Sequence, residues 1–238
     1  MRPPFGLDII DSCVDCRLRA ETMFCDLPRE LLTAFEALRY TTIFPKGAIL
    51  FIEGQSPRGV FMICSGRVKL SIGSSDGKTL ITHVAESGEV LGLSAAVSDK
   101  PYEVTAETLE PCQINFMKRD DFLSYLARYG EVCLRVARHL SNDYYAAVEQ
   151  SRSLGLSNSA AKLAGLLLEW CDRSGRSSDR GVEFKLTLTH EEIAQMIGAS
   201  RETVTRLFSD FKRQQIIQQK GATILVRKRP ALEAIVNS

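Results

Sequence analysis

From Phe44 to Met117, glycines recur at Gly47, Gly54, Gly59, Gly66, Gly77, Gly88 and Gly92, with short apolar or alternating runs between them. The runs are "AILFIE", "GVFMIC", "RVKLSI", "TLITHV", "VTAETL" and "QINFM". Segments this short, with turn signals every few residues, restrict the block to an antiparallel sandwich or barrel. "SSDGK" (74–78) lies between two alternating runs, where Asp-Gly supplies the positive φ of a hairpin turn at little cost. The block is predicted to be one compact all-β domain.

The text on either side has a helical period. Residues 119–152 hold no proline and only Gly130, and Val132, Val136, Leu140, Tyr144 and Ala147 recur at three- and four-residue spacing. That spacing predicts one apolar stripe along a long helix. Such a stripe packs either on its own domain or on a second copy of itself, which would make a symmetric dimer. Residues 156–173 read as another helix, capped by Ser157 or Ser159. A polar loop (174–181) and an alternating strand (182–188) follow.

The chain has 238 residues, 45% of them hydrophobic and 25% charged, the composition of a soluble globular protein. No apolar run approaches the ~20 residues that a membrane helix needs. Asp8 and Asp11 interrupt any signal-peptide core, so a cytoplasmic protein with reduced thiols is expected. Seven cysteines, an odd number, argue against a disulfide framework. The net charge of +1 is unevenly spread, with eight basic residues against two acidic over residues 200–229. That asymmetry directs the C-terminal part toward a polyanion. His83, His139 and His190 are scattered, and no phosphate-binding loop, zinc-protease signature or nucleophile elbow is present, so no enzyme is expected.

"LTHEEIAQMIGASRETVTRLFSDFKRQQII" carries the functional signal. Thr189 and Glu192 form a capping box that starts a helix, and Gly198 ends it. Ser200 caps a second helix, whose Val204, Leu207, Phe208 and Phe211 form a core-facing stripe. Arg201, Glu202, Thr205 and Arg206 are left on the opposite side, in the first two turns. Two short helices joined by a glycine turn form a helix-turn-helix, whose second helix presents its N-terminal residues to base edges in the major groove. Arginine can donate a bidentate pair to guanine, and glutamate can accept from the cytosine amino group. Glu202 and Arg206 could instead be a surface ion pair. "IIQQKGATILVRK" reads as a two-stranded wing turning at Lys220-Gly221, its basic residues placed to touch phosphates.

"LTHEEIAQMIGASRETVTR" resembles the recognition region of the Crp–Fnr family of bacterial transcription regulators. "PKGAILFIEGQSPRGVFMICSGRVKLSIGSSDGKTLITHVAESGEVLG" is similar to that family's cyclic-nucleotide-binding jelly roll. The resemblance implies an α+β chain in four parts. These are a cysteine-containing segment (1–28), a jelly-roll sensor (29–118), a dimerisation helix (119–153) and a winged helix-turn-helix (154–238). It implies a homodimer on double-stranded DNA that also meets RNA polymerase, with Arg201, Glu202 and Arg206 at the base-reading positions and Ser200, Thr205, Thr189 and Lys220 beside them. Arg-Glu-Thr-Val-x-Arg is the helix of the cyclic-AMP receptor type, which implies a TGTGA…TCACA palindrome.

The sensor departs from that type. Leu93 stands where the resemblance places a ribose-binding glutamate, and Tyr102-Glu103 where it places the phosphate-binding Arg-Ser. A carboxylate in place of a bidentate arginine repels a phosphate, so cyclic AMP is not expected as a ligand. Cys13, Cys16 and Cys25 fall where Fnr-type members carry three ligands of an oxygen-labile [4Fe–4S] cluster, with a wider gap before the third, and Cys112 falls at the fourth ligand. A thiol switch, a zinc site or a merely structural cysteine cluster are the other readings. Arg17 and Arg19 could lower thiol pKa values in either of the first two. Cys64, Cys133 and Cys171 read as core residues.

Overall fold

The glycine-punctuated block folds into two four-stranded antiparallel sheets in the computed structural model, which describes residues 4–16 and 24–237. Helix α1 (Arg29–Leu38) leads into β1 (Tyr40–Phe44), β2 (Ile49–Phe51), β3 (Gly59–Ser65), β4 (Val68–Gly73), β5 (Thr79–Ala85) and β6 (Val90–Leu91). The short helix α2 (Leu93–Ser98), β7 (Thr105–Thr108) and β8 (Cys112–Lys118) complete it. The strand orders are β1-β8-β3-β6 and β2-β7-β4-β5. The turn at 74–78 is the expected hairpin: the Ser74 N–H donates to Lys78 O at 2.9 Å, and Gly77 takes φ +81°.

The first sheet is covered on both faces, which is why β3 is a continuous apolar run rather than an alternating one. Phe61, Ile63, Cys112 and Ile114 point into the sandwich, where they join Phe51, Val68, Leu91 and Ala106. Val60, Met62 and Met117 point the other way, against Leu31, Leu32 and Phe35 of α1 and against Cys13, Val14, Phe24 and Leu27. The N-terminal segment is thus part of a second core, outside the sandwich.

Residues 119–152 are two helices rather than one. α3 (Arg119–Arg128) ends at Tyr129, which leaves the helical region at φ −122°, ψ 90°, and α4 (Gly130–Leu156) restarts beyond it. The Tyr125 hydroxyl donates to Leu31 O at 2.9 Å and its ring meets Tyr129 edge-on, so tertiary contacts hold the break. The apolar period continues through it, and periodicity alone does not see it. Val132 and Val136 face the second core, but Tyr144 and Ala147 of the expected stripe are exposed. Cys133, read as a core residue, is exposed because Val132 and Val136 take the inward positions; Cys64 and Cys171 are buried.

The chain divides into two compact units, residues 1–145 and 146–238, with the division inside α4. The second unit continues with α5 (Ser159–Ser174), β9 (Arg176–Ser178), β10 (Gly181–Lys185), α6 (His190–Ile197), α7 (Arg201–Arg213), β11 (Ile217–Lys220), β12 (Thr223–Val226) and α8 (Arg229–Val236). Its sheet has the order β11-β12-β10-β9. The cap of α5 is Asn158, whose side chain accepts from the Ala161 N–H at 2.9 Å, rather than Ser157 or Ser159. The predicted polar loop contains β9, which pairs with β10, and α8 matches no sequence expectation. Among the described residues no helix is long and apolar enough to cross a membrane.

Candidate nucleic-acid interface and thiol site

Helices α6 and α7 meet as the capping signals require. The Thr189 N–H donates to Glu192 Oε2 at 2.7 Å and the Glu192 N–H returns to Thr189 Oγ1 at 3.2 Å, closing the capping box. Gly198 closes α6 with φ +61°, ψ 43°, a left-handed turn that glycine adopts without a Cβ penalty. The Thr203 N–H donates to Ser200 Oγ at 3.2 Å and starts α7. Thr189 and Ser200 therefore have their hydroxyls committed to helix starts.

Val204, Phe208 and Phe211 are buried and Leu207 is half-buried, which fixes the rotation of α7 about its axis. At about 100° per residue, Arg201, Glu202, Thr205 and Arg206 share the other side, and all four are exposed. Among the described residues Glu202 and Arg206 make no ion pair. Thr205 differs from the other three: its hydroxyl donates to Arg201 O at 2.9 Å and meets His190 Nδ1 at 2.9 Å. One hydroxyl proton cannot serve both, so with Arg201 O as its acceptor the imidazole Nδ1–H is the donor.

The basic excess is smaller in the fold than in the sequence. Arg229 is held bidentately by Asp172 at 2.6 and 3.1 Å and by Glu233 at 2.9 Å, and Arg213 pairs with Asp210 at 2.7 Å. Arg201, Arg206, Lys212, Lys220, Arg227 and Lys228 remain exposed. Strands β11 and β12 pair in antiparallel register about Gly221, at φ +59°, and Lys220 stands exposed at the tip of this wing.

His190 was not singled out by the sequence, where it is only the residue after a cap. Its ring stacks on Phe208 at 4.9 Å, and burial, then Lys212 and Arg201, hold its pKa below the usual 6.5. On acidification the unfolded chain therefore takes this proton first. The contribution of His190 to stability is complete above about pH 6.5 and is lost as pH falls through the folded pKa. The melting temperature of the wild type is expected to fall more between pH 7.5 and 5 than that of His190→Gln. Parallel curves would assign the acid sensitivity elsewhere.

In the first unit, the position of the expected phosphate pair is filled. Tyr102 is buried, stacks on Phe51 at 4.1 Å, donates to Gly59 O at 2.8 Å and accepts from the Arg58 N–H at 3.1 Å. Its ring lies so close over Gly92 that a Cβ there would meet it at 2.8 Å. Leu93 is buried and Glu103 is exposed to solvent.

The cysteines separate by face. Gln113 and Ile10 exchange hydrogen bonds at 2.8 and 2.6 Å, and Asn115 Nδ2 donates to Cys13 Sγ at 3.7 Å, so the N-terminal segment lies against the outer face of β8. Cys112 points to the inner face, where its thiol donates to Glu110 O at 3.2 Å and Arg67 O at 3.4 Å. The strand therefore stands between Cys112 and Cys13. Burial raises both thiols to about 11. Among the described residues no group of three or more His, Cys, Asp or Glu side chains could hold a single metal ion. Arg17 and Arg19 lie outside the described residues.

Comparison with known proteins agrees with both units. The chain matches a cyclic nucleotide-binding domain over residues 41–129 and a Crp-like helix-turn-helix domain over residues 161–235. It is 27% identical over 183 residues to the CRP-like cAMP-activated global transcriptional regulator of Mycobacterium tuberculosis, covering 77% of this chain and 82% of that protein. It is also 27% identical over 219 residues to the transcriptional activator protein Anr of Pseudomonas protegens, covering 89% and 87%. A CooA mutant from Carboxydothermus hydrogenoformans has the same fold, with a TM-score of 0.76 at 21% identity over 96% of this chain and 98% of that one. With a nucleotide-binding-type jelly roll ahead of a helix-turn-helix, the chain belongs to the Crp–Fnr family of DNA-binding transcription regulators.

Proposed function

We propose that the protein is a homodimer that reads an inverted TGTGA-type repeat through Arg201, Glu202 and Arg206. The observation that carries this reading is that these three side chains are exposed on one side of α7, while Val204, Phe208 and Phe211 anchor its other side. A recognition helix needs this combination of long donors and acceptors on a backbone that cannot roll. Lys220 on the wing, with Arg227 and Lys228, suits phosphates that set register. Thr189, Ser200 and Thr205, with their hydroxyls occupied, contribute through helix positioning and backbone N–H groups more than through base contacts.

Helix α4, most of which lies in the 119–153 segment, supports the second copy. Leu134, Tyr144 and Val148 are exposed, and with Ala137 and Ser141 they make a three- and four-residue repeat at 134, 137, 141, 144 and 148. That repeat is a two-helix seam, distinct from the Val132–Val136 stripe that serves its own unit. A two-fold dimer places its two recognition helices about one helical turn of DNA apart. On DNA in the cytoplasm, such a dimer would engage RNA polymerase.

Its signal, in this reading, is redox rather than cyclic AMP. Tyr102 occupies the expected phosphate position and Glu103 would repel the anion. Cys13 and Cys25 belong to or pack on the second core beside α4, with Cys16 close in sequence. A [4Fe–4S] cluster on these thiols would supply an oxygen-labile link between the N-terminal segment and that core. A thiol switch on the same cysteines is the alternative reading.

Selection from a random duplex library by the anaerobically purified protein tests this function. Enrichment of an inverted repeat with half-sites about 10 base pairs apart is expected. Recovery of a single unrepeated site, or of no preferred sequence, would remove the dimeric reader.

A further inference from the structure

We propose that His190 is a positioning residue for base reading: through Thr205 it ties the start of α6 to the first turn of α7, the turn that carries Arg201 and Glu202. The proposal rests on the reading of α7 as the recognition helix.

The first turn of a helix is its least secured part, because its N–H groups have no partner within the helix and its end frays. Arg201 and Glu202 stand in that turn. Side chains that tell one base pair from another must be held to within about 0.5 Å of their working place. The Thr203 N–H on Ser200 Oγ at 3.2 Å and the Val204 N–H on Ser200 O at 3.1 Å hold the capped end and the core side of the turn. His190 holds the exposed side. Its Nδ1–H donates to Thr205 Oγ1 at 2.9 Å, and the Thr205 hydroxyl donates to Arg201 O at 2.9 Å. This relay runs from a ring on α6 to the backbone carbonyl of the first residue of α7.

The donor is itself fixed. His190 follows the Thr189 cap directly, so the capping box sets its backbone. Its ring stacks on Phe208 with centroids 4.9 Å and planes 13° apart, and Phe208 is fully buried. With backbone and ring plane both set, the hydrogen bond to Thr205 decides which ring nitrogen carries the proton.

The ring acts by geometry rather than by charge. The charged groups of α7 that act on it are Lys212 and Arg201, both cations, and with burial they keep it neutral at pH 7.5. On its own helix Glu191 and Glu192 are the neighbours, and the Glu192 carboxylate is turned to Thr189. A neutral ring adds no attraction for phosphates, so its loss should appear in sequence discrimination and leave the salt dependence alone.

The full-length protein is titrated at pH 7.5, over a range of salt, with the duplex that wild type selects from a random library and with random duplex. The ratio of the two affinities is the readout. His190→Phe keeps a ring for Phe208 and removes the donor, whereas Thr205→Val keeps the shape and removes the relay. Each is expected to lower the ratio roughly tenfold with the salt slope unchanged, and the double variant to lose no more than either single one. His190→Asn, whose amide N–H can stand in for Nδ1–H, is expected to retain most of the ratio. Melting curves check folding. If the His190 variants do not fold, the nitrogen NMR spectrum of wild type decides: a neutral ring protonated at Nδ1 supports the relay, and one protonated at Nε2 overturns it. A folded His190→Phe with the wild-type ratio would overturn the proposal and leave α7 the reader. Equal losses on both duplexes with a smaller salt slope would make His190 a phosphate contact and overturn it as well. A wild type that selects no sequence would remove the reading of α7 and the proposal with it.

Discussion

Tyr144→Asp combined with Val148→Asp is expected to turn the dimer into a monomer and to weaken binding to an inverted repeat by ~10²–10⁴-fold. Both residues are exposed on α4, Tyr144 at 68% and Val148 at 38%, so a charge at either position costs the isolated chain little. In a paired seam the same carboxylates would face their own copies across the two-fold axis and be desolvated there. The loss on DNA comes from avidity: once one half-site is bound, the second recognition helix is already at high local concentration. Sedimentation gives the mass and DNA titration the affinity. A variant that stays dimeric would move the interface off this seam, and a monomer that keeps full affinity would refute two-fold reading.

The parts of this fold legible in the sequence are those with a local cause. The Ser74–Lys78 hairpin, the Thr189–Glu192 capping box, the Gly198 turn and the Lys220–Gly221 wing each rest on residues a few positions apart, and each is present. The exposed face of α7 is legible for the same reason, since Val204, Phe208 and Phe211 fix its rotation. Features set by distant contacts were not. Tyr129 breaks the long helix because Tyr125 is tied to Leu31, ninety-four residues away in sequence, and the apolar period is the same with or without the break. The stripe from Val132 to Ala147 reads as one face, yet Val132 and Val136 turn to the core while Tyr144 and Ala147 are exposed. Cys64 reads as a core residue because β3 is apolar throughout, and it is buried. Arg39 and His190 carry no motif at all; their contacts depend on neighbours brought in by tertiary structure.

The interior of the jelly roll is filled by side chains such as Phe51, Phe61 and Tyr102, and Tyr102 spends its hydroxyl on the Arg58–Gly59 backbone. On the outer face of its first sheet, α1, Cys13, Cys25 and the start of α4 share a core. A change in the N-terminal segment is thereby adjacent to the start of α4, the helix proposed to carry the dimer seam, the proximity a local switch requires.

The central claim is that α7 reads bases, and Arg201→Ala tests it most directly. Arg201 is the first residue of α7, exposed beyond the Ser200 cap, and its guanidinium can donate two parallel bonds to a guanine edge. Affinity is measured for wild type and Arg201→Ala on a TGTGA palindrome and on random duplex, each over a range of salt. The variant is expected to lose about 1–3 kcal/mol on the palindrome and much less on random DNA, with the salt dependence nearly unchanged. An equal loss on both duplexes, with the salt slope reduced by about one, would make Arg201 a phosphate contact and contradict the account.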